Sequence, residues 1–403
     1  MNILMVLSTK KYPPDGRVER EARDLIRSGH HLFLMARRGP DQPATETVEG
    51  VHVIRVPLPG QRKKAIADLI YFFFQRYFIF FYIVRACRRN RIDALHVHDL
   101  PYAFAATLAG KILGLDVTFD MHEHYVDMLR SSFETQVYRK FRPFAFVLLA
   151  LLRLEEKYAC RRARKIIVVA DEHIERINRL GVAHKNIVVV TNTEDIDHFS
   201  GLPIDRSLMK KYRKDFIILY VGGFSPVRGL ETALQALPAV IKKIPNAKLL
   251  LVGDGPSRRE LQQLTRDLNL NEKVIFTGFE PFEKLPSYIR LCQVGLIPHI
   301  STPHIETTMP NKIFQFMMLA KPVVVSSTRP MMRVVRDAQC GLIFKERDPH
   351  SLAKTITQLK NENLRRRLGN NGQEAVQNRY HWQQTVQKLL ALYQNELQSA
   401  AEQ

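Results

Sequence analysis

The sequence predicts an α/β protein of two doubly wound, Rossmann-like domains. Three observations lead there. Apolar runs of strand length alternate with helix-length segments through both halves of the chain. The polar motifs fall where those runs end. The length, 403 residues, exceeds what one hydrophobic core ordinarily serves. Strands separated by helices form a parallel sheet covered on both faces, and ligands of such sheets sit beyond the carboxyl ends of the strands.

In the first domain, residues 1–195, strands are expected at Ile3–Leu7, His31–Ala36, Val51–Val56, Ala94–Val97, Val117–Asp120, Lys165–Val169 and Ile187–Val190. A helix is expected over Arg17–Gly29, ended by its glycine. A polar linker, 196–215, leads to a second domain, 216–375, with apolar runs starting at Phe216, Lys248, Lys273, Gln293 and Pro322. Residues 376–403 read as a terminal helix anchored by Tyr380 and Trp382. The N-terminal apolar run is too short for a signal peptide and reads as a buried strand. Cys87, Cys160, Cys292 and Cys340 are scattered singly, so neither a zinc site nor a disulfide framework is indicated, and a reducing compartment fits.

The formal net charge of +20 calls for an anionic partner. The basic residues are dispersed and no recognition motif accompanies them, so nucleic acid is not the expected one. Ile66–Val84, IADLIYFFFQRYFIFFYIV, is long enough to span a bilayer but is interrupted by Asp68, Gln75 and Arg76. Its flanks are basic, Arg62–Lys64 before it and Arg85, Arg88, Arg89 and Arg91 after it, which suits an anionic membrane surface. A buried core helix and a true span are the alternatives, and a span would break the strand–helix alternation. Pro143–Leu152, near Arg139, Lys140, Arg142 and Arg153, is too short to span and reads as a core helix.

Five motifs carry chemistry. Thr308–Val325 runs from a proline loop into a short helix and then a strand, presenting free backbone N–H groups and Lys312 to an anion. Tyr220–Leu230 supplies Gly222 and Gly223 for close backbone approach and Arg228 to clamp a diphosphate. Gly253-Asp-Gly255-Pro ends another strand and is not a nicotinamide fingerprint. The Tyr12–Val18 loop follows the first strand, and the charges after it, Glu19 to Asp24, read mostly as a solvated face. His96, His98 and Asp99, with Asp120, His122, Glu123 and His124, lie just past two strand ends, where polar work is done. His122 and His124 alone do not make a metal site. No GxSxG, HExxH or Walker sequence is present.

In this order the elements resemble the retaining nucleotide-sugar glycosyltransferases of family GT4, which have the GT-B fold. The resemblance covers nearly the whole chain: the Tyr12–Val18 loop, Asp120–Glu123, Leu154–Ala159, Val221–Gly229, Gly253–Pro256 and Thr307–Pro322. It implies two Rossmann-like domains facing across a cleft, with a last helix crossing back to the first domain. The acceptor site would lie in the first domain, at Asp15, Gly16, Arg17 and His98. The donor site would lie in the second, at Gly222, Gly223, Gly253, Gly255, Glu306, Thr307, Thr308, Pro310, Asn311 and Gln315. His122 would contact the donor sugar, and Arg228 and Lys312 the diphosphate. Where the family commonly has arginine then lysine, this chain has Gly223 and Arg228; the glutamate that binds the donor ribose falls at Gln315.

The implied reaction is hexosyl transfer from a nucleoside-diphosphate sugar, a co-substrate, to a hydroxyl acceptor with retention. No metal and no cofactor is implied. A lipid-linked or cell-envelope saccharide at the inner membrane face is the expected acceptor, which makes the protein cytoplasmic and peripheral. The alternative is a non-catalytic nucleotide-sugar or glycan-binding protein on the same scaffold.

Overall fold

The computed structural model describes residues 1–7, 12–13, 15–57, 65–133 and 142–401. It divides into two compact units, Met1–Thr191 with Val386–Gln403, and Asn192–Thr385.

The first unit holds an eight-stranded sheet: β1 (Asn2–Leu7), β2 (His31–Arg37), β3 (Thr45–Val48), β4 (Val51–Val56), β5 (Ala94–His98), β6 (Asp116–Met121), β7 (Lys165–Val168) and β8 (Ile187–Val189). Its order is β3-β4-β2-β1-β5-β6-β7-β8, parallel except for the antiparallel β3–β4 pair. The order reverses between β1 and β5, the place where open sheets bind ligands. From Ile3 to Leu7, β1 is buried because helices cover both faces, so that stretch reads as an unbroken apolar run.

The second unit holds six parallel strands: β9 (Phe216–Val221), β10 (Ala247–Val252), β11 (Val274–Gly278), β12 (Val294–Ile297), β13 (Val323–Ser326) and β14 (Gly341–Phe344). Their order, β11-β10-β9-β12-β13-β14, reverses between β9 and β12. Leu219, Tyr220, Leu250, Leu296 and Val324 are completely buried at its centre.

All twelve expected strands form, with ends shifted by a residue or so. β3 and β14 were not expected. β3 is a four-residue edge strand, Thr-Glu-Thr-Val, with no apolar run, and β14 is equally short and opens on glycine. The expected linker is also not plain. It carries helices Ile196–Gly201 and Arg206–Lys211, whose first turns are capped by the side chains of Asp195 and Asp205, and it belongs to the second unit.

Helix Ala65–Asn90 carries the aromatic stretch. Ile79, Ile83, Ala86 and Cys87 enter the core, while Phe74, Phe78 and Phe81, at i, i+4 and i+7, remain exposed. The Tyr77 hydroxyl donates to Glu155 Oε1 at 2.9 Å, tying this helix to Arg142–Arg162. On that second helix Leu148, Leu149 and Leu152 are buried, but Phe146 and Val147 are exposed, so it is a core helix with an apolar outer edge. Among the described residues no helix is long and apolar enough to cross a membrane. The basic flanks Arg62–Lys64 and Arg139–Lys140 lie outside the described residues.

Tyr380 stacks on Phe314 with ring centroids 5.4 Å apart, and its hydroxyl donates to Asp337. Helix Trp382–Ala401 follows. Trp382 is buried and its N–H donates to the Glu194 carbonyl. From Val386 onward the chain belongs to the first unit, where Tyr393 meets His30 and His96; Val386 and Leu389 are also buried.

Candidate functional site

In the first unit, β5 and β6 end side by side, with His98 in register with Asp120. His96 and His98, two residues apart on β5, point to one face and stack with centroids 4.5 Å apart. The helix Gly16–Arg27 begins above them. Asp15 caps it, accepting from the Val18 N–H, while Glu19 reaches back to the Asp15 N–H at 2.7 Å. Arg17 and Glu21, one helical turn apart, therefore face inward together.

Arg17 Nη2 lies 3.1 Å from both Asp120 oxygens, Nε lies 2.9 Å from Glu21 Oε1, and Nη1 donates to the Val190 carbonyl at 3.0 Å. His122 Nε2 donates to Asp120 Oδ2 at 3.1 Å, and its Nδ1 lies 3.6 Å from Asp99 Oδ2. Burial pushes the His122 ring toward neutrality, but Asp99 and Asp120 outweigh it and hold its pKa up at about 9. Burial raises Asp120, yet Arg17 and then His122 pull it well below the usual carboxylate range. Burial and His96 push His98 down to about 3, so His98 is neutral. The product is an imidazolium at His122, 18% exposed, above a buried ion-pair network. Such a group donates a hydrogen bond to an oxygen and steadies negative charge; at neutral pH it is not a base.

Two of the acceptor candidates sit within this network. His98 is completely buried and Arg17 nearly so, with its guanidinium committed to Asp120 and Glu21. Asp15 and Gly16 are at the helix start, with Asp15 engaged as its cap. The expected solvated face is corrected as well: Arg20 and Glu21 are buried, because the helix packs this side over the sheet. Ligand atoms of Glu21, His96, His98 and Asp120 all lie within 4.8 Å of one another. Arg17 already supplies the positive charge those carboxyl groups face, so the donor set fits an ion-pair network better than a divalent cation.

In the second unit, the turns after β9 and β10 interlock. The Phe224 N–H donates to the Asp254 carbonyl at 2.9 Å. Gly222 adopts φ +129, and a Cβ there would stand 2.8 Å from Lys312 Nζ; Gly253, at φ +141, would meet the Gly222 carbonyl at 2.0 Å. Both positions therefore require glycine. Gly223 and Gly255 complete the two turns. Lys312 Nζ sits 4.0 Å over the Tyr220 ring. Arg228 Nη1 donates to His299 Nε2 at 3.3 Å. Burial, then Arg228 and Lys312, hold His299 well below its ordinary value, and it accepts as a neutral ring. Burial and then Arg228 lower Lys312 well below the lysine range. Among the described residues no ion pair joins Arg228 or Lys312 to a carboxylate. Arg228 and Lys312, crowded beside two glycine turns, disfavour each other's charge, and negative charge placed there would relieve both.

The following segment is more structural than its motif indicated. Glu306 accepts from the Arg329 N–H at 2.9 Å and from Ser301 Oγ at 2.6 Å. The Thr307 hydroxyl donates to the Pro303 carbonyl at 2.8 Å. Thr308 is extended and Pro310 accepts from the Ile313 N–H. Helix Lys312–Met318 has only seven residues, so its dipole is slight and side-chain cations carry the positive field. Asn311 Nδ2 and Gln315 Nε2 both donate to Glu194 Oε1 at 3.3 Å. Glu21 was signalled only by its i+4 spacing from Arg17, and His299 only by following a strand. Glu194 carried no signal in the sequence.

Two family models match in tandem: "Glycosyl transferase 4-like domain" over residues 16–193 and "Glycosyl transferases group 1" over residues 204–375. The chain is 22% identical to alpha-D-kanosaminyltransferase of Streptomyces kanamyceticus, over 97% of this chain and 94% of that one. Its 26% identity to the uncharacterized glycosyltransferase MJ1607 of Methanocaldococcus jannaschii spans 44% of each chain. Among solved structures it resembles sucrose-phosphate synthase from Thermosynechococcus elongatus, with TM-score 0.77, 19% identity and coverage of 99% and 100%. It also resembles Anabaena Alr3699/HepE in complex with UDP-glucose, with TM-score 0.71, 18% identity and coverage of 97% and 100%.

Proposed function

This chain belongs to the GT4 family of glycosyltransferases and has the GT-B fold, and we propose that it moves a hexosyl group from a nucleoside-diphosphate sugar to a hydroxyl acceptor with retention. The observation that carries this reading is the pair Arg228 and Lys312, which lack a carboxylate counter-charge among the described residues and lie beside the Gly222 and Gly253 turns. As the anomeric bond breaks, the leaving diphosphate gains negative charge. Arg228, Lys312 and the backbone N–H groups at Gly222–Gly223 stabilise it there without a metal. The His122 imidazolium donates to an oxygen of the donor sugar. The leaving phosphate takes the acceptor proton, which is why no protein nucleophile is needed.

A uridine diphosphate sugar is the donor class with most support, since a structural neighbour is in complex with UDP-glucose. The exposed Phe74, Phe78 and Phe81, on a helix that ends in Arg85, Arg88 and Arg89, favour an anionic membrane surface. A lipid-linked or cell-envelope saccharide at the inner face would then be the acceptor, with the protein peripheral on the cytoplasmic side. Gln315, in place of the family's glutamate, is the observation that favours a non-catalytic sugar-binding role instead.

The test is to incubate purified protein with a panel of nucleotide sugars, with and without membrane lipid extract, and to detect free nucleoside diphosphate by mass spectrometry. Release from one donor establishes the class, and dependence on lipid supports the acceptor. Binding without release would replace transfer by the binding role.

A further inference from the structure

A buried carboxylate stands beside Gln315 and Asn311. Glu194 is 2% exposed, and its Oε1 accepts from both Gln315 Nε2 and Asn311 Nδ2 at 3.3 Å. Its backbone is held in place. The Glu194 carbonyl accepts from the Trp382 N–H, and the neighbouring Thr193 hydroxyl donates to Thr385 Oγ1 at 3.0 Å. Glu194 is 121 residues before Gln315 in sequence, so no local motif links the two.

A primary amide has a donor end and an acceptor end, and a carboxylate accepts only. With Glu194 fixed beside it, the Gln315 NH2 must turn toward the carboxylate. The Gln315 carbonyl oxygen then becomes the end left to meet other groups. We infer that Glu194 is a positioning residue for donor recognition: it sets the Gln315 amide so that an acceptor oxygen, and not an NH2 group, is presented to the ribose hydroxyls. This rests on the reading that Gln315 meets the donor ribose. It also reverses the meaning of the Gln315 substitution. The negative charge of the family's glutamate has moved one side chain back, to Glu194, and the hydrogen-bond acceptor toward the ribose is kept.

The consequence is specific. Gln315→Glu, which restores the family residue, places two carboxylates side by side in a buried site and is harmful. In Glu194→Gln/Gln315→Glu, the amide at 194 donates to the carboxylate at 315, and function returns. Binding of UDP and of 2′,3′-dideoxyuridine diphosphate would be measured by calorimetry for wild type, both single variants and the double variant. Expected are a ~10–100-fold loss of UDP affinity in Gln315→Glu, recovery to within about threefold in the double variant, and reduced discrimination between the two ligands in Glu194→Gln. Gln315→Glu binding UDP as tightly as wild type, or an unrecovered double variant, overturns the proposal. Melting temperatures provide a readout that needs no ligand: Gln315→Glu melts lower and the double variant regains the loss. If no protein binds UDP, the uridine donor reading fails, while the melting series still decides the Glu194–Gln315 pairing.

Discussion

At the scale of single residues, the site trades stability for charge. Lys312 is partly buried beside Arg228, and desolvation together with that guanidinium works against its charged form. Lys312→Ala is expected to lower turnover by roughly 10²–10³-fold and yet to raise the melting temperature slightly, since it removes a partly buried amine crowded by Arg228. Paired kinetic and thermal measurements check both signs. His122 behaves in the opposite way. Its folded pKa, about 9, lies above the ordinary 6.5. It therefore contributes stability that is full below about pH 6.5 and lost as pH rises through about 9. Urea midpoints from pH 6 to 10 should show that decline in wild type and a shallower one in His122→Gln. Which residues were legible in the sequence follows from distance along the chain. His122 sits just past β6, and Arg228 was marked by its place in the glycine turn that follows β9. The hydroxyl of Tyr393 lies 2.8 Å from His96 Nδ1 but 297 residues away, and Glu194 is similarly remote from Gln315. Such pairings exist only after folding.

At the scale of elements, the twelve expected strands were legible because burial leaves a hydrophobic run, even where, as in β8, the strand is only three residues long. β3, Thr-Glu-Thr-Val, was not, because it has no apolar run, and β14, Gly-Leu-Ile-Phe, is an apolar strand of four residues that opens on glycine and is only partly buried. Helix Gly16–Arg27 was legible as a helix, but its charged inner side was misread. Charges that pair inside a protein look, in sequence, like charges that face water. Helix Ala65–Asn90 shows the converse, since an aromatic run was divided between the core and an exposed stripe. Phe78→Ser/Phe81→Ser should weaken co-sedimentation with phosphatidylglycerol vesicles at least severalfold and leave the melting temperature within about 2 °C, because both rings are already solvated. Equal binding by wild type and variant would remove this stripe from membrane contact.

At the scale of the whole molecule, the chain does not divide cleanly at one point. The second unit occupies Asn192–Thr385, and the first reclaims the chain from Val386. Ending the chain after Thr385 removes Tyr393, which packs on His30 and His96 of the first unit, together with the buried Val386 and Leu389. A loss of several kcal/mol is expected from vacating that many buried positions. Limited proteolysis should then digest the first unit while a fragment of the second, which keeps its own sheet and core, stays protected. The division into two α/β units was legible from the repeated strand–helix alternation. That the last helix completes the first unit was implied by the family resemblance and not by its own residues, whose amphipathic pattern suits any apolar surface.

That arrangement also governs how the protein is made. His96 leaves the ribosome 297 residues before the tyrosine that meets it, an interval of roughly 15–60 s at ordinary elongation rates. The second unit emerges whole within that interval and is free to fold as it appears. The earlier-born unit must wait, its histidine pair lacking the tyrosine that closes over it, until the last stretch of chain returns. Order of synthesis and order of completion are thus reversed, and a chain ended between Thr385 and Tyr393 would carry the whole second unit beside a first unit still lacking its tyrosine.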